Sequence, residues 1–456
     1  MKKNHFIFSI ITLVLLVVFI TSFNYFKTTN TYIDDNINNQ TKIIKGISMN
    51  LEQTAGAGDY KTVTQSGWPT EGYKFNAELS RCENGSTLSW DDTKKAVIVS
   101  GNLSDKCYVY FDIWIPSIAD YCTSGTDLAT CVKNFGDQGP SVSNIYIHNS
   151  SLTNGAGDNS YRYAGANPNN FVCFGSDTSP CPTDNLYRII GVFGENYHGV
   201  TGKQLVKLIK YDYMTTDELG TDGDYSQTYK EWGMDSTYKG TYGDGERIGV
   251  YYWNYKATGS ATNTWSTSLL NKTNLNTNFI NNIGTTWANK IATVTWKVGG
   301  NTSANISDVV PATTYQNEIV NPVTTNTTDN ATTYSAKIGL MYVSDYGFAA
   351  SPDAWTLTMS SYNNTTATNN NWMYMGLYEW TISRTAGDSL GAFDVRSAGG
   401  VGSLSVRNYR GVRVSFSLES SVSYVSGSGS MGDPVRINWY TKYIKQSSLG
   451  LHQEYN

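Results

Sequence analysis

The sequence predicts a mostly β fold with short helices, an α+β chain of more than one domain, and three observations carry that reading. Apolar and β-branched runs at Ile338–Val343, Met373–Leu377 and Val412–Leu418 are separated by Gly, Asn and Ser clusters, the pattern of strands and turns. Helical periodicity is confined to short windows. At 456 residues the chain is too long for one core.

Taken in order, the N-terminus is basic (Lys2, Lys3), and an apolar run without charge follows from Phe6 to Phe23. At about 1.5 Å per residue such a helix spans roughly 27 Å, enough for a hydrocarbon core. Residues 1–23 are therefore expected to be a transmembrane signal-anchor. The protein would sit in the cell membrane as a single-pass chain, its lysines cytoplasmic and its C-terminal region extracellular. A cleaved signal peptide is the alternative, although the exit ITSFNYF holds no Ala-x-Ala site.

Residues 24–60 read as a stalk or linker. Ile33, Ile37, Ile44, Ile47 and Leu51 fall on three- and four-residue steps once Gln40 fills the one gap, a weak heptad seam closed by Gly56-Ala57-Gly58. A small β domain is expected over 61–115, where Ala96–Ser100 and Cys107–Ile115 are β-branched and aromatic runs. Residues 116–159 read as a connecting segment with a disulfide and a short helix ending at Gly136.

Residues 160–438 form the larger domain. In it, Tyr161–Tyr163 and Phe171–Phe174 look hairpin-like, and LYRIIGVF (186–193) with QLVKLIKY (204–211) is the clearest strand pair. One or two short helices fit 263–293, and residues 439–456 are a tail.

Six cysteines, Cys82, Cys107, Cys122, Cys131, Cys173 and Cys181, agree with export, since an even count in an exported chain reads as a disulfide set. The fifteen connectivities stay open, with consecutive pairing the simplest. Cys82–Cys107 would then staple the small domain, adding roughly 3 kcal/mol in the chain-entropy model. A structural zinc site is the alternative, but no C-x₂-C spacing occurs.

Charged residues are only 16% of the chain, and its net charge is -5 without a basic run. Phosphate neutralisation needs clustered Lys and Arg, so nucleic acid is excluded as a partner. The surface is instead solvated by Asn, Thr and Ser.

The order LYRIIGVF, QLVKLIKY, NTWSTSLLNKTNLNTNFI, KIGLMYVSDYGFAAS, YEWTISR and GVRVSFSL resembles a broad bacterial family of exported surface proteins of unknown function. That order is similar to C-type-lectin-like folds and their formylglycine-generating-enzyme-like branch, over roughly Ser160 to Asn438. The resemblance implies a C-type-lectin-like larger domain. The closing motif departs from the pattern, with Val414 where Pro is expected and YEWTISR in place of LRSP.

Chemistry is sparse. The catalytic cysteines of formylglycine-generating enzymes have no counterpart after Cys181, and Asn167-Pro168-Asn169 lacks the carboxylate of a calcium-lectin motif. Asp217, Glu218, Asp222 and Asp224 miss the spacing of a calcium loop and read as a solvated loop. His148, His198 and His452 are too scattered for a triad. Glu379 and Arg384 are expected to pair across a short strand. The expectation is therefore no enzyme, no cofactor and no metal.

Trp372, Tyr374, Tyr378 and Trp380 alternate and on one strand would share a face. Trp372, Tyr374 and Tyr378 are the ligand-binding candidates, for a glycan or a surface protein, and the alternative is that this face is core. The function expected is a membrane-anchored, non-catalytic ligand-binding or adhesion module, with a structural subunit of a pilus-like assembly as the alternative.

Overall fold

The computed structural model describes residues 46–439, apart from 65–66, 70, 103, 195, 229–237, 243–247, 256–260, 302–307 and 323–330. The expected anchor 1–23, the first part of the stalk and the tail beyond Trp439 lie outside the described residues. No helix among the described residues is long and apolar enough to cross a membrane. The chain divides between Ile115 and Pro116 into two compact units.

The first unit is a sheet of order β2 (Tyr60–Val63), β1 (Ile47–Glu52), β7 (Cys107–Ile113), β3 (Tyr73–Phe75), with β4 (Arg81–Cys82) also on β7. A hairpin of β5 (Thr87–Asp91) and β6 (Ala96–Ser100) joins the same core. The stalk reading stops short here, because Ile47–Glu52 is a strand running parallel to β7, with Met49 opposite Val109. A four-residue step fits both periodicities, and Ile47, Met49 and Leu51 also alternate. Phe111 holds the core, with the rings of Trp68, Phe75 and Trp90 each within 5.9 Å of it.

Three disulfides join Cys82–Cys107, Cys122–Cys131 and Cys173–Cys181, the consecutive pairing. Cys82 and Cys107 are also direct register partners on β4 and β7.

The second unit is mostly β with short helices. Its largest sheet contains β8 (Ile145–Ile147), β9 (Tyr161–Tyr163), β10 (Phe171–Cys173), β11 (Leu186–Phe193), β12 (Leu205–Lys210), β18 (Ile338–Gly339) and β23 (Ser415–Ser417). A second sheet stacks β16 (Gly300–Asn301), β19 (Glu379–Thr385), β20 (Gly391–Val395) and β21 (Val401–Ser405). Residues 116–159 are not a connector. The helix Leu128–Gly136 buries Leu128, Cys131, Val132 and Phe135 in the main core, and β8 forms an edge of the large sheet. Asp127 caps that helix by accepting from Thr130 N–H at 2.9 Å.

β11 and β12 pair antiparallel, Ile189 opposite Leu208, and every residue of both is buried. Both faces of the sheet are therefore covered, which explains their nearly unbroken apolar runs. The expected hairpin of Tyr161–Tyr163 with Phe171–Phe174 does not form. β12 occupies one edge of β11, so β9 (Arg162 opposite Gly191) and β10 (Phe171 opposite Arg188) share the other edge end to end.

Buried charge ties these elements together. Arg162 donates to Asp158 at 2.8 Å and to Ser160 Oγ at 2.8 Å, lies 3.8 Å from Asp345, and is ringed by Phe193, Tyr315 and Phe348. Asp345, on the buried helix Val343–Ala349, also accepts from Lys207 of β12 and from Tyr342 N–H. His198 Nε2 lies 2.8 Å from Asp158. Glu318 accepts the first amides of the same helix, Val343 N–H at 2.8 Å and Ser344 N–H at 3.0 Å. Burial alone would raise the Asp158 and Asp345 carboxyls. Arg162 and His198 outweigh it at Asp158, Lys207 and Arg162 at Asp345, and both end below the usual carboxylate range.

Two outcomes are expected. Lys207→Met alone leaves Asp345 with the Arg162 guanidinium at 3.8 Å as its cation and should cost about 3–5 kcal/mol in urea unfolding, whereas Lys207→Met with Asp345→Leu should cost less than either single change. Double-mutant losses that simply add would contradict the coupling. For acid, a depressed folded pKa contributes stability that is present above the unfolded value of about 3.9 and is lost as pH falls through the folded one. Asp158→Asn should therefore lower the urea midpoint at neutral pH and flatten its fall below about pH 4.

Candidate functional site

Between β9 and β10 the chain leaves the edge of β11. Gly165, at φ +110°, makes the exit, in a region L side chains rarely adopt, and its carbonyl accepts Trp372 N–H at 3.0 Å. The excursion brings the exposed Ala166, Asn167 and Asn169 to the rim of a cleft of about 320 Å³. Buried Phe171, Arg188, Trp372 and Tyr374 form its floor. Tyr211, Met375, Asn371, Lys239 and Met431 complete the lining. Met431 comes from the loop between β24 (Val422–Ser426) and β25 (Arg436–Trp439), whose Gly429 carbonyl accepts Phe171 N–H at 2.8 Å.

Arg188 decides the character of this floor. It is 4% exposed, its guanidinium lying 4.3 Å from the Phe171 ring centroid and 4.7 Å from that of Trp372. All its acceptors are neutral. Nε donates to Asn170 Oδ1 at 2.7 Å and Nη2 to Pro168 O at 2.9 Å, with longer contacts to Asn167 Oδ1 and Trp372 O at 3.4 Å. Asn170 is itself held by the sheet, its amide donating to Ile189 O at 2.7 Å. Four other buried cations of the unit meet carboxylates, Arg162 with Asp158, Lys207 with Asp345, Lys210 with Glu218 and Arg413 with Glu379, while buried Arg384 donates to Val298 O instead. Arg188 meets no carboxylate among the described residues. Burial, reinforced by the charge of Arg413 and opposed by Tyr211, pushes its pKa down to about 9, so the group is still a cation at neutral pH.

Lys239 supplies a second positive charge at the rim. The residue is exposed, and its ammonium donates to Thr368 O at 3.0 Å and lies 4.6 Å from the Tyr374 ring centroid. None of the twelve lining residues is Asp or Glu. Asp212, beside Tyr211 in the chain, is buried outside the lining, its oxygens taken by Tyr213 N–H, Tyr238 OH and Thr241 N–H.

The sequence-predicted residues divide here. Trp372 and Tyr374 reach the cleft, but from the core side: Trp372 donates its indole N–H to Tyr163 O at 2.9 Å, and Tyr374 OH donates to Ser397 O at 2.5 Å. Tyr378 does not line it and packs under the Arg410 guanidinium at 4.5 Å. The shared face fails because residues 372–378 form turns rather than a strand, with β19 beginning only at Glu379. Trp380 is wholly buried, its indole donating to Tyr251 O at 2.9 Å.

Two further expectations are corrected. Glu379 pairs with Arg413 in a two-pronged contact at 2.8 Å, not with Arg384, whose Nε donates to Val298 O at 2.6 Å. The acidic cluster is no solvated loop throughout. Asp224 is fully buried and accepts from Tyr255, Leu269 and Leu270 N–H, while Glu218 caps the short helix Thr216–Leu219 and meets Lys210. Among the described residues no three His, Cys, Asp or Glu side chains converge as metal ligands.

Arg188 and Lys239 were missed from sequence, although a cation inside LYRIIGVF was a legible signal. Asn167 and Asn169, from the string that lacks a calcium-lectin carboxylate, stand on the rim.

No family model, curated protein or solved structure matches the chain. The site is therefore judged on its geometry.

Trp372→Ala should lower stability by about 3–5 kcal/mol, as large aromatic deletions in cores do. Lys239→Gln, at an exposed position, should stay within about 0.5 kcal/mol of the parent in the same urea titration. A Trp372→Ala protein that unfolds like the parent would show that the ring does not pack as described.

Proposed function

We propose that this chain is a membrane-anchored, extracytoplasmic surface protein whose second unit binds a ligand without catalysis, in the cleft over Arg188. The observation that carries the reading is a preformed cleft whose buried floor holds a cation with no counter-ion among the described residues. Evidence of export comes from the apolar run at 6–23 behind Lys2 and Lys3, and from three disulfides, which persist in oxidising compartments. The C-type-lectin-like resemblance of Ser160–Asn438 belongs to the same proposal and rests on its motif order.

The non-catalytic part has support in the histidines. His148 is buried between Phe348 and Trp355, and His198 is committed to Asp158; neither lines the cleft. Burial holds both below their usual pKa, leaving them neutral near pH 7. The cleft stands near the lower end of the roughly 300–1,000 Å³ range of small-ligand sites.

The test is a glycan and matrix-protein screen with the full-length chain beside Ala166→Trp, which fills the cleft from an exposed rim position. The substitution should abolish retention of whatever the parent binds, with unchanged thermal unfolding. Retention that survives it would place the ligand elsewhere and remove the cleft from the proposal.

A further inference from the structure

Building on the cleft reading, we infer that the ligand is an acidic saccharide, a sugar ring bearing a carboxylate, seated with its carboxylate on the Lys239 ammonium and over the Arg188 guanidinium. Three features of the lining point to this chemistry.

The first is charge. A cation in a low-dielectric wall with no carboxylate on it acts at longer range than the same charge in water, and a concave site focuses its field. Arg188 occupies such a wall, and its hydrogen bonds to Asn170 Oδ1 and Pro168 O fix its position without neutralising it. Lys239 adds a second cation with donors to spare, since its ammonium has three N–H groups and, among the described residues, one hydrogen bond, to Thr368 O. The two divide the work: Lys239 is placed for direct contact, and Arg188, nearly closed off, contributes its field.

The second feature is the apolar lining of Phe171, Tyr211, Met375 and Met431, which suits the C–H face of a sugar ring. The third is the pair of exposed rim amides, Asn167 and Asn169. Each amide offers both a donor and an acceptor, the combination that neighbouring hydroxyls require. A simple inorganic anion would use the charge and leave the apolar wall and the rim amides without a role. A neutral sugar would leave both cations unmatched. The small volume fits the end of a saccharide chain rather than its middle.

The test uses the full-length chain and pairs of saccharides that differ only in charge: galacturonate, glucuronate and N-acetylneuraminate glycosides, each as the free acid and as its methyl ester. Titration calorimetry at low salt should show at least one acid binding about tenfold or more tighter than its ester, a difference of about 1.4 kcal/mol. That preference should collapse near 1 M salt, where the Debye length is about 3 Å. Lys239→Gln should erase most of it while unfolding like the parent, and Ala166→Trp should remove binding altogether. Equal binding of acid and ester would overturn the acidic assignment and leave the cleft as a site for neutral sugars. Acid preference that persists in Ala166→Trp would put the anion elsewhere and overturn the assignment as well. If no pair binds while the broad screen finds a cleft-dependent ligand of another class, the saccharide is wrong and the cleft stands. No binding in either experiment removes both.

Discussion

The second unit depends on one constraint: a charge taken out of water must meet an opposite charge or a full set of dipoles. Its central sheet is covered on both faces, yet β11 and β12 carry Arg188, Lys207 and Lys210, all of them buried. Lys210 is answered by Glu218, close by in the chain, but Lys207 needs a distant segment. Lys207 finds Asp345, 138 residues away, and through it the helix Val343–Ala349 is brought against β9 and Arg162. The cost of leaving either partner unpaired far exceeds the net gain of the pair, so the contacts specify which segments pack together more than they add stability.

Arg188 meets the same constraint differently. Two aromatic faces and neutral acceptors hold it in place, a solution that supplies position without neutrality. Such an arrangement stores an electrostatic preference at the bottom of a cleft. The geometry around it is built by backbone events, the Gly165 exit from β9 and the return at Phe171, rather than by a recognisable motif.

Local features of the fold were legible because they depend on neighbouring residues. LYRIIGVF and QLVKLIKY form the antiparallel pair that their apolar content predicted, and the short cysteine loops closed on themselves. The helix over Leu128–Gly136 ends at the expected glycine. Readings that needed periodicity over a few residues were less secure. Ile47 and Leu51 satisfied a helical step and a strand step equally, and parallel pairing with β7, sixty residues later in register, decided between them. Trp372 to Trp380 alternated in sequence, but alternation places side chains on one face only if the backbone is extended, and there it turns.

The sequence by itself determined the β-rich class, the local strand pairs, the even set of cysteines and the absence of any basic stretch for nucleic acid. These follow from side-chain shape, hydropathy and short-range closure, which act over a few residues. Only the tertiary structure decided that Tyr161–Tyr163 and Phe171–Cys173 share one edge of β11, that Glu379 meets Arg413 rather than Arg384, and that Trp372 serves the core while Arg188 and Lys239 face a cleft. The reason is physical: for pairs such as Lys207–Asp345 and Glu379–Arg413, which buried charge is answered depends on segments brought together through space, and one sequence window contains only one side of them.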